Sequence, residues 1–121
     1  MKNTARKKIK NKLDKAWSAK IRSIGRCELC GSTVNQLNAH HILMKKSLFM
    51  RYYIPNGISL CAYKCHAGGI HSPDFDVQKE YTKKIEDYVG EERLEDLREK
   101  KRTAPKLSTS DLQDILNKWL K

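Results

Sequence analysis

The chain has no run of apolar residues approaching the roughly 20 needed to cross a bilayer, and its first residues lack the apolar stretch of a secretory signal. A protein that stays in the cytoplasm is therefore expected. Acid is nearly missing from residues 1–26, where Asp14 stands alone against ten Lys or Arg. Internal repeats and low-complexity segments are missing as well, which excludes solenoid and fibrous architectures. Apolar residues are only 39% and charged residues 32% of the 121. That is little for a domain stabilised by burial alone, so some additional brace is called for.

What is present is positive charge, unevenly placed. The net charge is +11, of which residues 1–26 hold +9. Residues 27–71 carry four bases against one acid, and residues 72–121 carry eleven against twelve. A concentrated basic surface attracts polyanions and releases their condensed counterions, so nucleic acid is the expected partner. The plainer alternative is a basic tail that only aids solubility. An anionic membrane fits less well, because this segment has no broad aromatic and leucine face to insert.

The length suits one compact domain, divided here into a basic N-terminal helix or arm (1–26), a central core (27–90) and C-terminal helices (91–121). Leu13, Ala16, Trp17, Ile21 and Ile24 recur at spacings of three and four, which predicts a helix over 5–24 ending near Gly25. Apolar runs at 37–43 and 58–60, flanking Pro55, Asn56 and Gly57, predict two short strands joined by a long loop. Ser72 and Pro73 predict a helix start, with Val77, Tyr81, Ile85 and Tyr88 on one face and Gly90 at the end. Residues 91–102 read as a largely solvated helix anchored by Leu94 and Leu97. Beyond Pro105, Ser110 and Gln113 stand at capping-box spacing before a stripe of Leu112, Ile115, Leu116, Trp119 and Leu120. That stripe needs a docking surface, on this domain, on a second copy of the chain or on another protein.

All four cysteines (Cys27, Cys30, Cys61, Cys65) and all four histidines (His40, His41, His66, His71) fall between positions 27 and 71. Clustering of ligand-type residues in about a third of the chain argues for metal chemistry. Cys27-x2-Cys30 and Cys61-x3-Cys65 form two knuckles that can close a tetrahedral thiolate site around a structural Zn2+, the missing brace. Two disulfides or four unliganded thiols are the alternatives, and a reducing compartment disfavours the first. Cys61 to His66 lies close to the haem-attachment pattern Cys-x2-Cys-His, but that chemistry requires export and leaves Cys27 and Cys30 unexplained. A two-Cys, two-His finger fails because His40 and His41 are adjacent and too near Cys30. On a strand, neighbouring residues point to opposite faces, so one imidazole of the pair can bind a cation while the other acts as a base. Phosphodiester hydrolysis needs both. The bland reading of these imidazoles is satisfied histidines in a zinc-stabilised fold, and that of Trp17, Tyr52, Tyr53 and Trp119 is packing rather than base stacking.

The run Asn38-Ala39-His40-His41-Ile42, Arg51, Pro55-Asn56-Gly57-Ile58-Ser59-Leu60-Cys61 and Cys65-His66 resembles the HNH endonuclease family, most closely its small bacteriophage and prophage members. The likeness spans about residues 13–97. It implies an α+β fold, a small ββα-metal core with zinc knuckles and surrounding helices. It further implies that His41 is the general base, that His40 and His66 bind a catalytic divalent ion, and that Asn56 holds the loop and orients the base through its amide. Some family members carry a further histidine three residues past the last motif position. Here four residues intervene before His71, and Gly68 and Gly69 offer a bulge to restore the geometry. His71 is thus a third ligand, a phosphate contact or a surface histidine. Arg51 sits where related phage sequences place an arginine, which implies a phosphate contact.

The expectation is a metal-dependent DNA endonuclease that nicks by default, with a structural Zn2+ and one catalytic Mg2+, Mn2+, Ni2+ or Zn2+. Backbone contacts are expected from Lys20 and Arg22 and from Lys45 and Lys46, with little sequence specificity. The rivals are a zinc-stabilised DNA-binding module that does not cut and a nuclease of structured RNA. A homodimer or a phage-protein partner is expected through the C-terminal helix if its stripe docks outside the chain.

Overall fold

The structure, a computed structural model, describes residues 4–44 and 47–120. The fold is α+β, 65% helix around a two-stranded antiparallel sheet, so the sheet depends on helices for cover on both faces. In chain order the elements are α1 (Thr4–Arg22), β1 (Leu37–His41), α2 (Leu48–Tyr52) and β2 (Gly57–Cys61). A π-helix (Ala62–Ile70) follows, then α3 (Phe75–Val89), α4 (Glu91–Thr103) and α5 (Thr109–Trp119). Among the described residues no helix is long and apolar enough to cross a membrane.

Leu13, Trp17 and Ile21, each four residues after the last, form the buried ridge of α1. Leu112 and Leu116 of α5 pack into the same cluster, with Tyr52. The C-terminal stripe therefore docks on its own domain, covering the helix that carries the basic N-terminal charge. Leu120, placed on that stripe from sequence, lies beyond the contact and is 72% exposed. The cap of α5 also differs from expectation. Ser108 and Asp111 form the capping box, two residues ahead of Ser110 and Gln113, because Ser108 is the last extended residue.

β1 and β2 pair from Leu37 opposite Cys61 to His41 opposite Gly57. Every residue of β2 is buried, as a strand covered on both faces must be. A Cβ on Gly57 would come within 2.8 Å of Trp17 Cζ2 and closer still to Ile21. Only glycine lets the strand approach α1 this tightly. The second core cluster joins Ile58, Leu60 and Ile85 to Cys27, Cys61 and Cys65. The sulfur ligands expected to brace the protein are thus part of its core rather than an appendage to it.

The helix after the π-helix starts later than Ser72 and Pro73 suggested. Asp74 is its cap, accepting from the Asp76 and Val77 amides, while Ser72 Oγ only accepts from the Asp74 amide. Both Ser and Asp can cap, and the ionised carboxylate has the advantage at the positive end of the helix. Gly90 ends α3 and opens α4 at φ 86, a conformation that favours glycine. Arg93 of α4 then donates to the Pro55 and Gly57 carbonyls at 3.0 and 2.9 Å, clamping the loop before β2.

Candidate active site and metal centres

Among the described residues two clusters of ligand-type side chains form, with one strand pair supplying part of each. Cys27 and Cys30 come from a tight turn in which the Gly31 amide donates to the Cys27 carbonyl and the Cys27 amide to the Ser32 carbonyl. Cys61 ends β2 and Cys65 lies one turn into the π-helix, its amide donating to the Cys61 sulfur at 3.4 Å. The four sulfurs lie within 4.8 Å of one another, with Cys30 and Cys61 at 3.7 Å. Tetrahedral zinc with ~2.3 Å bonds would space its sulfurs by ~3.8 Å, so the donor set fits a structural ion such as zinc. Burial and the neighbouring Cys61 and Cys27 sulfurs push the Cys65 thiol up. At Cys27 burial also pushes up, but backbone amides of Cys30, Cys61 and Leu29 outweigh it and bring the thiol down to about 7. Thiolates share such a space only with a cation among them.

The second cluster joins His40 from β1 with His66 and His71 from the π-helix and its end, ligand nitrogens within 4.8 Å of one another. His71 belongs to it because of the helix type. The Ala62–Ile70 segment winds with i→i+5 bonds, and the His71 amide donates to the His66 carbonyl at 2.9 Å. In that wider coil, residues five apart fall on one face, whereas an α-helix would rotate them apart. The irregularity expected at Gly68 and Gly69 is thus a full π-helix. Gly69 packs where any Cβ would strike the Tyr81 ring. His40 is mostly buried, and burial, followed by the proximity of His66 and His71, lowers its pKa to about 4. Burial, followed by the proximity of His71, shifts His66 in the same direction. Neutral imidazoles are what cation binding requires.

Period two along β1 sends His41 to the other face, against α1. Its ring stacks on Trp17 at 4.0 Å between centroids and 4° between planes. Its Nε2 lies 2.9 Å from the Arg51 carbonyl. A carbonyl only accepts, so Nε2 carries the hydrogen, and in the neutral ring Nδ1 holds the lone pair. His40, His41, His66 and His71 line one open groove of about 720 Å3.

Asn56 is fully buried, but it does not reach His41. Its Oδ1 accepts from the Leu43 amide, and its Nδ2 donates to the Leu43 and Met50 carbonyls. It therefore ties together both ends of the loop between β1 and α2. The His41 ring, expected to be the base, is oriented by the Arg51 carbonyl and Trp17, not by the Asn56 amide. Arg51 itself, expected at phosphate, is held by Asp14 through Nε at 2.8 Å and Nη2 at 2.7 Å. The lone acid of the basic segment has that partner, and neither bond uses Nη1. Arg22 turns back onto Ser18 of its own helix, and Lys20 lies over the Trp119 ring. Lys45 and Lys46 lie outside the described residues.

Three residues with a part in this arrangement were not singled out from sequence. Trp17 read as core packing, with base stacking as the alternative, and not as a partner of an imidazole. Asp14 was visible as the exception in a basic run. Asn38 shares a strand face with His40 and meets His66 Nδ1 at 3.1 Å. Its Nδ2 is the atom that faces the ring and donates to Nδ1, which holds the His66 ring in its orientation. Comparison with protein-family models, curated proteins and solved structures finds no match for this chain.

Proposed function

We propose that this chain is a divalent-metal-dependent DNA endonuclease of the HNH type, of the kind small phages and prophages encode, that hydrolyses phosphodiester bonds one strand at a time. The observation that carries this reading is the division of four imidazoles in one groove. Three converge as a ligand set, and the fourth is tied back by the Arg51 carbonyl with its tautomer defined.

In this reading His41 takes a proton from the attacking water at Nδ1. Its Nε2–H bond to the Arg51 carbonyl strengthens as the ring becomes imidazolium, and the Trp17 face beneath it favours the cation. His40, His66 and His71 would hold a divalent ion, which supplies positive charge for the phosphate and leaving oxygens. Asn38 orients His66, and Asn56 keeps α2, and with it the Arg51 carbonyl, against the strand. The exposed Lys7, Lys8, Lys12 and Lys15 of α1 provide charge for the DNA backbone.

The test is relaxation of supercoiled plasmid by the zinc-loaded protein with Mg2+, Mn2+ or Ni2+. Nicked circles are expected, and none with His41→Ala at unchanged zinc content. Intact circles from the wild-type protein, with tight DNA binding, would instead mark a zinc-stabilised binding module. Preference for folded RNA over duplex DNA would move the substrate class.

A further inference from the structure

A second cleft, of about 530 Å3, opens between α1, α2 and α5. Four aromatic rings, Phe49, Tyr52, Tyr53 and Trp119, line it beside aliphatic side chains. Phe49 and Tyr53 stack at 5.2 Å with planes 27° apart, and Trp119 of α5 lines the same cleft, edge-on to Tyr52 at 6.4 Å. The Tyr53 hydroxyl donates to Asp96, which also accepts from Lys100, so that wall is fixed in place. The charged residues lining the cleft are Lys20 and Lys118, and among the described residues no carboxylate lines it.

Flat aromatic faces rimmed by ammonium groups suit a ligand that alternates planar rings with anions. An unpaired polynucleotide strand has that chemistry, and every base has a π-face to stack. An apolar helix or peptide would use the rings but bring no anion to either lysine. The volume is that of a small-ligand pocket, which admits separated bases and excludes a duplex. The cleft is also coupled to the groove. Phe49 and Tyr53 flank Arg51, whose carbonyl holds His41, and the Trp17 indole N–H points at the Tyr53 carbonyl at 3.5 Å while its face stacks on His41.

We propose that this cleft holds an unpaired stretch of a DNA strand, bases against Phe49, Tyr53 and Trp119 and phosphates on Lys20 and Lys118. The choice of DNA rests on the nuclease reading above; the preference for an unpaired strand rests on the cleft. The enzyme then selects DNA by structure, favouring gapped, flapped or branched substrates over continuous duplex, with no base edges read.

The experiment uses the full zinc-loaded chain carrying His41→Ala, so that no strand is cut. A 15-nucleotide oligo-dT, its oligo-rU counterpart and a 15-base-pair duplex are titrated by anisotropy and by tryptophan fluorescence. Oligo-dT is expected to bind and to quench fluorescence. The double substitution Lys20→Glu, Lys118→Glu should weaken it by about tenfold or more and change duplex binding by less than about threefold. Trp119→Leu should abolish the quenching; because Trp119 also packs on α1, the lysine pair is the decisive variant. Equal oligo-dT affinity in the lysine variant and its parent overturns the proposal, and so does tighter binding of oligo-rU. Plasmid nicking by the wild-type protein without oligo-dT binding removes the cleft's role and leaves the nuclease reading standing. Lysine-dependent oligo-dT binding without nicking supports the cleft and removes the nuclease.

Discussion

Trp17 and His41 lie face to face, centroids 4.0 Å apart and planes within 4° of parallel. The contact joins the basic helix to the strand, so a core tryptophan also sets the rotation of an imidazole that already donates through Nε2. Trp17→Leu should lower the nicking rate tenfold or more with DNA affinity nearly unchanged, while Trp17→Phe, which retains an aromatic face, should recover most of the rate. Both variants lose core volume, at a cost of about 2–4 kcal/mol for the leucine. Single-turnover rates, measured on protein shown to be folded by circular dichroism, separate the stack from the packing.

Removal of one buried sulfur, Cys61→Ser, should abolish stoichiometric zinc and leave the chain largely unfolded. A structural thiolate site contributes on the order of 10 kcal/mol of apparent folding free energy, and here three of its ligands are core residues. Metal analysis and far-ultraviolet circular dichroism on the same sample check this. Retained structure without metal would show that the core stands by packing alone.

Asn56→Ala would strip partners from the Leu43 amide and from the Leu43 and Met50 carbonyls at a fully buried position. A loss on the order of 3 kcal/mol or more is expected in urea unfolding. Asn56→Asp should fare no better, since its carboxylate would face two carbonyl oxygens. Equal stability of wild type and Asn56→Asp would contradict the hydrogen-bond assignment.

The Arg51 and Asp14 side chains form a two-bond ion pair, 28% and 35% exposed. Solvent screens such a pair, so a double-mutant cycle should return a coupling of only about 1 kcal/mol. If the pair persists on DNA, Asp14→Asn should tighten DNA binding by releasing the guanidinium. Unchanged affinity would place Arg51 away from phosphate altogether.

His40 titrates at about 4 in the fold against an ordinary 6.5, mainly through burial. Between those values the unfolded chain takes up a proton that the folded chain refuses, so stability falls as pH drops from 6.5 toward 4. Melting temperatures of zinc-loaded protein, without added divalent ions, should show this decline, and His40→Asn should make it shallower. A decline of the same steepness in the variant would assign the acid sensitivity to the zinc ligands instead.

The sequence by itself determined the elements and their chemistry. Spacing of three and four marked the ridge of α1, alternation placed His40 and His41 on opposite faces, and paired knuckles announced a four-sulfur cluster, because each is a local pattern read within a few residues. Local patterns also misled where neighbouring residues could serve equally well, as with Ser110 for Ser108 and Ser72 for Asp74. Only the tertiary structure decided that α5 closes over α1, that the lone acid Asp14 holds Arg51, and that Trp17 stacks on His41. Each joins residues far apart in the chain, and no local pattern encodes which surfaces meet. His71 joined its cluster for a related reason. Five-residue spacing becomes one face only when the coil widens to a π-helix, and that segment packs against α3, β2 and β1, with Gly69 against Tyr81, contacts that no local pattern shows.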